Sequence, residues 1–438
     1  MKITAPRIRQ HGTEAPPEYT KPQRDAWHTP GSDILPEPPE RAPSTYFIGS
    51  GKNGVAQFMT MQGVSCTLSS EAHGATVSVY NLTMANLNHL RNVKFALEKL
   101  EVATGCAVAR INTKEPDALC IEITRNSRSI VDFKTALLAD SNFVGHNADN
   151  IPFVLGVDAF GNSIVQDLKK AKHTLIAGVT GGGKSVLLNS ILCSMLLRAC
   201  PNKLDLYLAD FKQVEFEQYE GLPHLAAPII TEHSELVSTL YKLTAIMDAR
   251  YKYLRDSKIG KQLPDGENRI LLVIDEYADA VISSKADKEA IELPLARLLQ
   301  KGRAAGIHVI LCTQTPLATV IGTIARNNFT TRIALKCATT SMSKMIINHD
   351  GADHLAGDGD ALLNHEKLGI IRFQGPLIDD DTIQAIVDFW KNQAPEAPEA
   401  TAEPTQQRTS GGVSFCDDGS RCPDTPDDHY IYEDNSDD

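Results

Sequence analysis

The strongest chemical signal lies between His173 and Ser185, which read His-Thr-Leu-Ile-Ala-Gly-Val-Thr-Gly-Gly-Gly-Lys-Ser. Gly178, Val179, Thr180, Gly181, Gly182, Gly183, Lys184 and Ser185 fit the phosphate-loop pattern G-x-x-x-x-G-K-[ST]. A β-like apolar run, Thr174 to Ala177, precedes the loop, and a helix-like run from Val186 to Arg198 follows it. Side-chain-free glycines let backbone N–H groups close around phosphates at a helix N-terminus. In such a site Lys184 reaches the β- and γ-phosphates of ATP, and the Ser185 hydroxyl ligates Mg2+. A glycine-rich turn matching by chance is the competing reading, and the flanking elements argue against it.

A second signal follows about ninety residues later. Ile270-Leu-Leu-Val-Ile-Asp-Glu is an apolar strand ending in two carboxylates, the Walker B pattern. Strand C-termini in open parallel sheets face the ligand crevice. Asp275 is therefore expected to hold Mg2+ through water. Glu276 is expected to orient and deprotonate the attacking water, which makes the site a hydrolase. Gln314 ends another apolar run at the same edge and is a candidate contact for the γ-phosphate or the water; a purely structural strand-end amide fits equally well. Asp210 ends a further run, as a water-network or structural residue. Arg303 and Arg332 are both candidates for an arginine acting from a neighbouring subunit, and residue pattern alone leaves the choice open.

These groups need elements to carry them. Apolar runs at 174–177, 204–209, 270–274, 308–313 and 332–337 alternate with helical stretches such as 234–256 and 291–305, the latter with Pro294 in its first turn. That alternation predicts an α/β fold: a P-loop, RecA-like parallel sheet with helices on both faces, over about 146–390. A smaller α/β domain is expected at 56–145, with strands near 76–82, 108–112 and 119–124 and helices near 84–103 and 130–138. Hairpin strands 153–157 and 163–167 lead into the loop strand. Residues 1–55 read as a disordered, proline-rich leader and 391–438 as a disordered acidic tail.

Composition narrows the setting. At 42% hydrophobic and 22% charged residues over 438 positions, the chain is ordinary for a globular protein. No apolar run is long enough to span a bilayer, so no membrane insertion is expected. Nine scattered cysteines without a C-x-x-C pair predict a reducing, cytoplasmic compartment. Cys416 and Cys422 lie in the acidic tail and read as thiols. The net charge is −12, but residues 417–438 hold nine carboxylates against Arg421, so the rest is near neutral and can still grip phosphates locally.

Several motifs in order resemble the motor of the FtsK/SpoIIIE family of DNA translocases. His173–Ser185 resembles P-L-L-V-A-G-A-T-G-S-G-K-S, and Tyr219-Glu-Gly-Leu-Pro-His-Leu resembles Y-x-G-I-P-H-L. Asp275-Glu-Tyr-Ala-Asp resembles D-E-F-A-D, Arg303-Ala-Ala-Gly-Ile-His resembles R-A-A-G-I-H, and Thr313-Gln-Thr-Pro resembles T-Q-R-P. Thr331-Arg-Ile-Ala and Gly357-Asp-Gly-Asp resemble T-R-I-A and G-x-G-D. Coverage runs over about 70–380. The resemblance implies a ring-forming, hexameric ATPase that threads double-stranded DNA, with Arg332 as the trans-acting finger and Lys344 at a basic DNA-contacting position. A coupling ATPase of conjugation or secretion, handling single-stranded DNA or nucleoprotein, is the alternative. Thr315 replaces the family's arginine and Asp358 an apolar residue, which points to altered fine coupling. No counterpart of the membrane helices and winged-helix domain of the family's chromosomal members is expected in these residues. A motor of a phage, plasmid or integrative element, recruited by a separate protein, is therefore expected.

Overall fold

The computed structural model describes residues 27–37, 54–106, 108–111, 118–125, 128–139, 150–258, 260–265, 267–282, 285–316, 327–365 and 369–393. Residues 394–438 of the acidic tail, with Cys416 and Cys422, and most of the proline-rich leader lie outside the described residues; the tail's first residues, expected to be disordered, instead finish the last helix at Lys391 and place Gln393 against His28. Within the leader, 27–37 departs from the expectation of disorder. Trp27 is buried 6.0 Å from Trp390, and His28 and Gln393 exchange two backbone-to-amide hydrogen bonds. An apolar anchor in a charged, proline-rich stretch carries no periodicity, so the pattern hid it.

Two sheets organise the described residues. The first comprises α1 (Gly54–Met61), β1 (Cys66–His73), β2 (Val77–Met84), α2 (Leu90–Thr104), β3 (Val108–Ile111) and β4 (Ala118–Thr124). Its strands run antiparallel in the order β1-β2-β4-β3. Val93, Ala96 and Leu100 of α2 and Met59 of α1 cover one face, against Leu82, Leu119 and Ile121. The other face presents Val77, Val79 and Cys120 to Ala159, in the turn of the next hairpin.

A connector with α3 (Phe133–Leu138) leads to the second sheet. There follow β5 (Pro152–Asp158), β6 (Ser163–Asp167), α4 (Leu168–Ala171), β7 (Thr174–Ala177), α5 (Lys184–Leu196), β8 (Leu204–Ala209), α6 (His233–Ser257), β9 (Arg269–Ile274) and α7 (Tyr277–Ile282). The remainder is α8 (Lys285–Lys301), β10 (Ile307–Thr313), β11 (Thr331–Leu335), α9 (Thr340–Ile347), β12 (Asp360–His365), β13 (Gly369–Gln374) and α10 (Asp380–Lys391). The strand order is β6-β5-β13-β12-β11-β7-β10-β9-β8. The block from β11 to β8 is parallel; β12, β13, β5 and β6 add antiparallel neighbours.

Strand alternation sorts the core into two layers. Ile176, Leu206, Leu271 and Ile310 face α5 and α10, while Leu175, Tyr207, Leu272 and Val309 face α6 and α8. β7, entirely buried, sits between β10 and β11 and holds the loop that follows it at mid-sheet. Helix α8 starts six residues before the expected Ile291 and places Pro294 inside, not in the first turn. Ile291, Leu295 and Leu298 are buried against the sheet, and that packing offsets the one backbone bond the proline cannot make.

A buried ionic cluster joins the sheets. Arg372 on β13 contacts Glu122 on β4 at 3.0 Å and Asp360 on β12 at 2.6 Å, with all three side chains enclosed. Burial raises the Glu122 carboxyl, and the Arg372 charge opposes that rise.

Three buried histidines make the fold acid-sensitive. Burial pushes His173 down to about 3 and His224 and His308 down to about 4. The unfolded chain protonates near ~6.5, so the stability they confer is complete above that pH and is lost as pH falls toward the folded values. Lowering pH from 7 to 5.5 should cost about 4 kcal/mol from the three together. Urea denaturation at the two pH values checks this, and equal unfolding free energies would contradict it.

Candidate active site

The turn after β7 is built by glycines whose missing side chains are required. Gly181 and Gly183 have φ of 77° and 96°, in the left-handed region. A Cβ on Gly183 would come within 2.5 Å of the Gly359 nitrogen, and one on Gly178 within 2.6 Å of the Leu335 Cβ. Gly359 N–H donates to the Gly182 carbonyl at 3.0 Å, so the loop leans on the segment before β12. Gly183→Ala should therefore distort the loop and weaken nucleotide binding at least about tenfold. Gly161→Ala, with nothing within 4 Å of the added carbon, should cost only the ~1 kcal/mol of an unfavourable φ. Titration with a fluorescent ATP analogue and thermal melts separate the two effects.

Lys184 opens α5 and is 5% exposed. Its ammonium donates to the Asp275 carboxylate and, at 3.0 Å, to the Asp275 carbonyl. Burial alone would lower its pKa; the Asp275 and Glu276 carboxylates hold it above the ordinary lysine value, so it stays charged. Glu276 is held by three donors: Thr313 Oγ1 at 2.6 Å, the Gln314 N–H at 2.8 Å and the Ala278 N–H at 3.2 Å. The Gln314 side chain accepts from Thr180 Oγ1 at 2.5 Å, which ties the end of β10 to the phosphate loop. The structure thus brings Lys184, Ser185, Asp275, Glu276 and Gln314 to one sheet edge.

Sequence reasoning missed one member. Glu215 accepts a hydrogen bond from Ser185 Oγ at 2.5 Å. Asp210 places it: the Asp210 carboxylate accepts from the backbone N–H groups of Lys212, Gln213, Val214, Glu215 and Phe216, between 2.8 and 3.2 Å. Asp210 is therefore a structural residue that winds the chain back over α5. The only signal available was an acidic residue five positions beyond a strand-end Asp.

The donor set suits a hard cation. Ser185, Asp275 and Glu215 offer oxygen ligands, as Mg2+ requires. Among the described residues no cluster of three or more Asp, Glu, His or Cys groups could hold a metal alone. Mg2+ would therefore be shared with nucleotide phosphates, the usual arrangement for this ion.

A cavity of about 780 Å³ opens beside the loop, its lining including Lys184, Ser185, Glu215, Ile130, Pro376 and Leu377. That volume lies in the range of small-molecule sites. Arg332 and Arg303 do not line it. Arg332 pairs with Leu175 near the start of β11, remote from the loop edge, is largely buried, and donates to the Phe329 carbonyl at 2.9 Å. Arg303 is exposed on the turn after α8. Lys344 is exposed on α9, away from the cavity.

A phosphate loop between β7 and α5, with an acidic end to β9 and a polar end to β10 on a largely parallel sheet, defines a P-loop ATPase-type fold. Comparison with known proteins agrees. Residues 138–263 and 260–318 match the model of the FtsK/SpoIIIE family. The chain is 35% identical over 291 residues to DNA translocase FtsK of Helicobacter pylori (strain ATCC 700392 / 26695), covering 64% of this chain and 33% of that protein. It is 30% identical over 421 residues to DNA translocase FtsK of Mycobacterium tuberculosis (strain ATCC 25618 / H37Rv), covering 89% and 49%. The chain belongs to the FtsK/SpoIIIE family. It spans between a third and a half of the length of these relatives. Among solved structures it is similar to the pCW3 conjugation coupling protein TcpA with ATPgS: TM-score 0.53, 23% identity, 76% of this chain and 98% of that one. The cytoplasmic domain of the Thermomonospora curvata Type VII secretion ATPase EccC gives TM-score 0.51 and 22% identity over 61% and 35%. Among the described residues no helix is long and apolar enough to cross a membrane.

Proposed function

We propose that this chain is an ATP-hydrolysing motor that moves along double-stranded DNA as a ring of identical subunits, a hexamer by resemblance to the family. The observation that carries the reading is the convergence of Lys184, Ser185, Asp275 and Glu276 at the loop after β7. The first sheet and its helices serve as a small accessory domain and the second as the motor.

In this reading the loop N–H groups and Lys184 bind the phosphates of ATP. Ser185, Glu215 and Asp275 would hold Mg2+, which would supply positive charge to offset the charge developing on the phosphates. Lys184 exchanges Asp275 for phosphate on binding, which frees the Asp275 carboxylate to serve as a metal ligand. Glu276, its position fixed by Thr313 and Gln314, orients a water and takes its proton. Gln314, joined to Thr180, reports whether the loop is filled. Arg332 completes the site of a neighbouring subunit, which requires that it swing out from its seat near Phe329. Lys344 contacts the DNA backbone as a point charge.

ATP turnover by the purified protein, measured with and without linear duplex, tests this directly. Strong stimulation by duplex is expected. Stimulation by single strands in preference to duplex would instead favour a coupling ATPase of conjugation or secretion. A compartment in the cytoplasm and a separate recruitment protein fit this reading.

A further inference from the structure

We propose that Arg128, on the connector between the two sheets, binds the phosphate chain of the nucleotide from the same subunit, with Asp358 as its placeholder when the site is empty. This rests on the nucleotide reading above. Four observations carry it.

Arg128 and Lys184 are the two cations among the described residues lining the cavity. Lys184 reaches a ligand only by leaving Asp275, and it brings a single charge. Glu215 and Asp358, which share the lining, add negative charge. A polyanionic ligand therefore needs a second cation, and a guanidinium fork suits phosphate oxygens.

The connector is pinned beside the cavity. Leu377 N–H donates to the Val131 carbonyl at 2.7 Å, and Phe133 N–H to the Leu377 carbonyl at 3.1 Å. Asp132 and Leu377 form a parallel β-bridge. Arg128 cannot drift far from the site.

Its partner lies next to the phosphate loop. Asp358 precedes Gly359, whose backbone packs on Gly182 and Gly183. The guanidinium lies 3.4 Å from the Asp358 carboxylate, which sets it close to where phosphates would lie.

The pair is easy to exchange. Asp358 is 79% exposed and Arg128 35%. An ion pair so exposed shifts an equilibrium by about fivefold at most. A charge-assisted, bidentate contact from the guanidinium to phosphate is stronger than such a pair. Asp358 also sits at φ 51°, a left-handed conformation that Asn tolerates, which makes Asp358→Asn a mild probe.

The test is titration of the full chain with fluorescent ADP and ATP analogues. Arg128→Ala should weaken both about tenfold. Asp358→Asn should leave affinity unchanged or tighten it up to about fivefold, because it releases Arg128. Equal weakening by both variants would mean that the pair only braces the fold. No effect of Arg128→Ala would mean that the guanidinium never meets the nucleotide. Either result overturns the proposal. Failure of the nucleotide reading itself looks different: the unaltered protein would bind neither analogue, and Lys184→Ala would change nothing.

Discussion

Glu276→Gln is expected to stop ATP turnover while leaving ATP binding nearly intact. Glutamine keeps the size of the side chain and can still accept from Thr313 or the Gln314 N–H, the partners that fix Glu276 at 2.6 and 2.8 Å. What it loses is the capacity to take a proton. Removing a positioned general base costs about 10²–10⁴ in rate, so turnover should fall at least about a hundredfold. Affinity for a fluorescent ATP analogue should change less than about threefold, because Glu276 is not among the side chains lining the cavity. Lys184→Ala should do the reverse. It removes a phosphate ligand and leaves Asp275 buried without its ammonium, so binding itself fails. Measuring turnover and affinity on both variants separates the roles. A Glu276→Gln protein that hydrolyses at the original rate would place the base elsewhere.

The largest effect on stability should come from Arg372→Met. Arg372 makes two bonds to Asp360, one to Glu122 and one to Thr124, from a position 7% exposed. Its removal leaves two enclosed carboxylates without a counter-charge. Breaking a buried ion pair in this way costs about 3–5 kcal/mol. The deficit should shrink in acid. With its folded pKa raised further, Glu122 contributes stability below the unfolded carboxyl pKa of ~4.3 and loses it as pH rises through the folded value. Chemical denaturation at pH 7 and pH 5 reads both effects. A change under 1 kcal/mol at pH 7 would show that the cluster does not hold the sheets together.

The phosphate loop, Asp275 and Glu276 were legible in the sequence because each signal is contiguous. A strand, a glycine turn and a helix start follow one another, and an apolar run ends in acids. The parallel strands β7 to β11 were legible for the same reason: buried almost throughout, they read as mainly apolar runs despite Asp205, His308 and Arg332. β12 and β13 were not, since Asn364 and Arg372 interrupt them and only the fold reveals that Arg372 is paired. β1 escaped because most of its residues are exposed or half-exposed and polar. Glu215 meets Ser185 across 30 residues, Arg372 meets Glu122 across 250, and Arg128 meets Asp358 from a different sheet's connector. No local pattern encodes such pairs.

Conversion of ATP hydrolysis into movement along DNA is the centre of this account. Its most direct measurement is displacement of a triplex-forming strand from linear duplex by purified protein and ATP. The account predicts that the third strand is released only when ATP is hydrolysed and that Glu276→Gln fails to release it. A protein that turns over ATP at the same rate with or without duplex, and leaves the third strand in place, would contradict it.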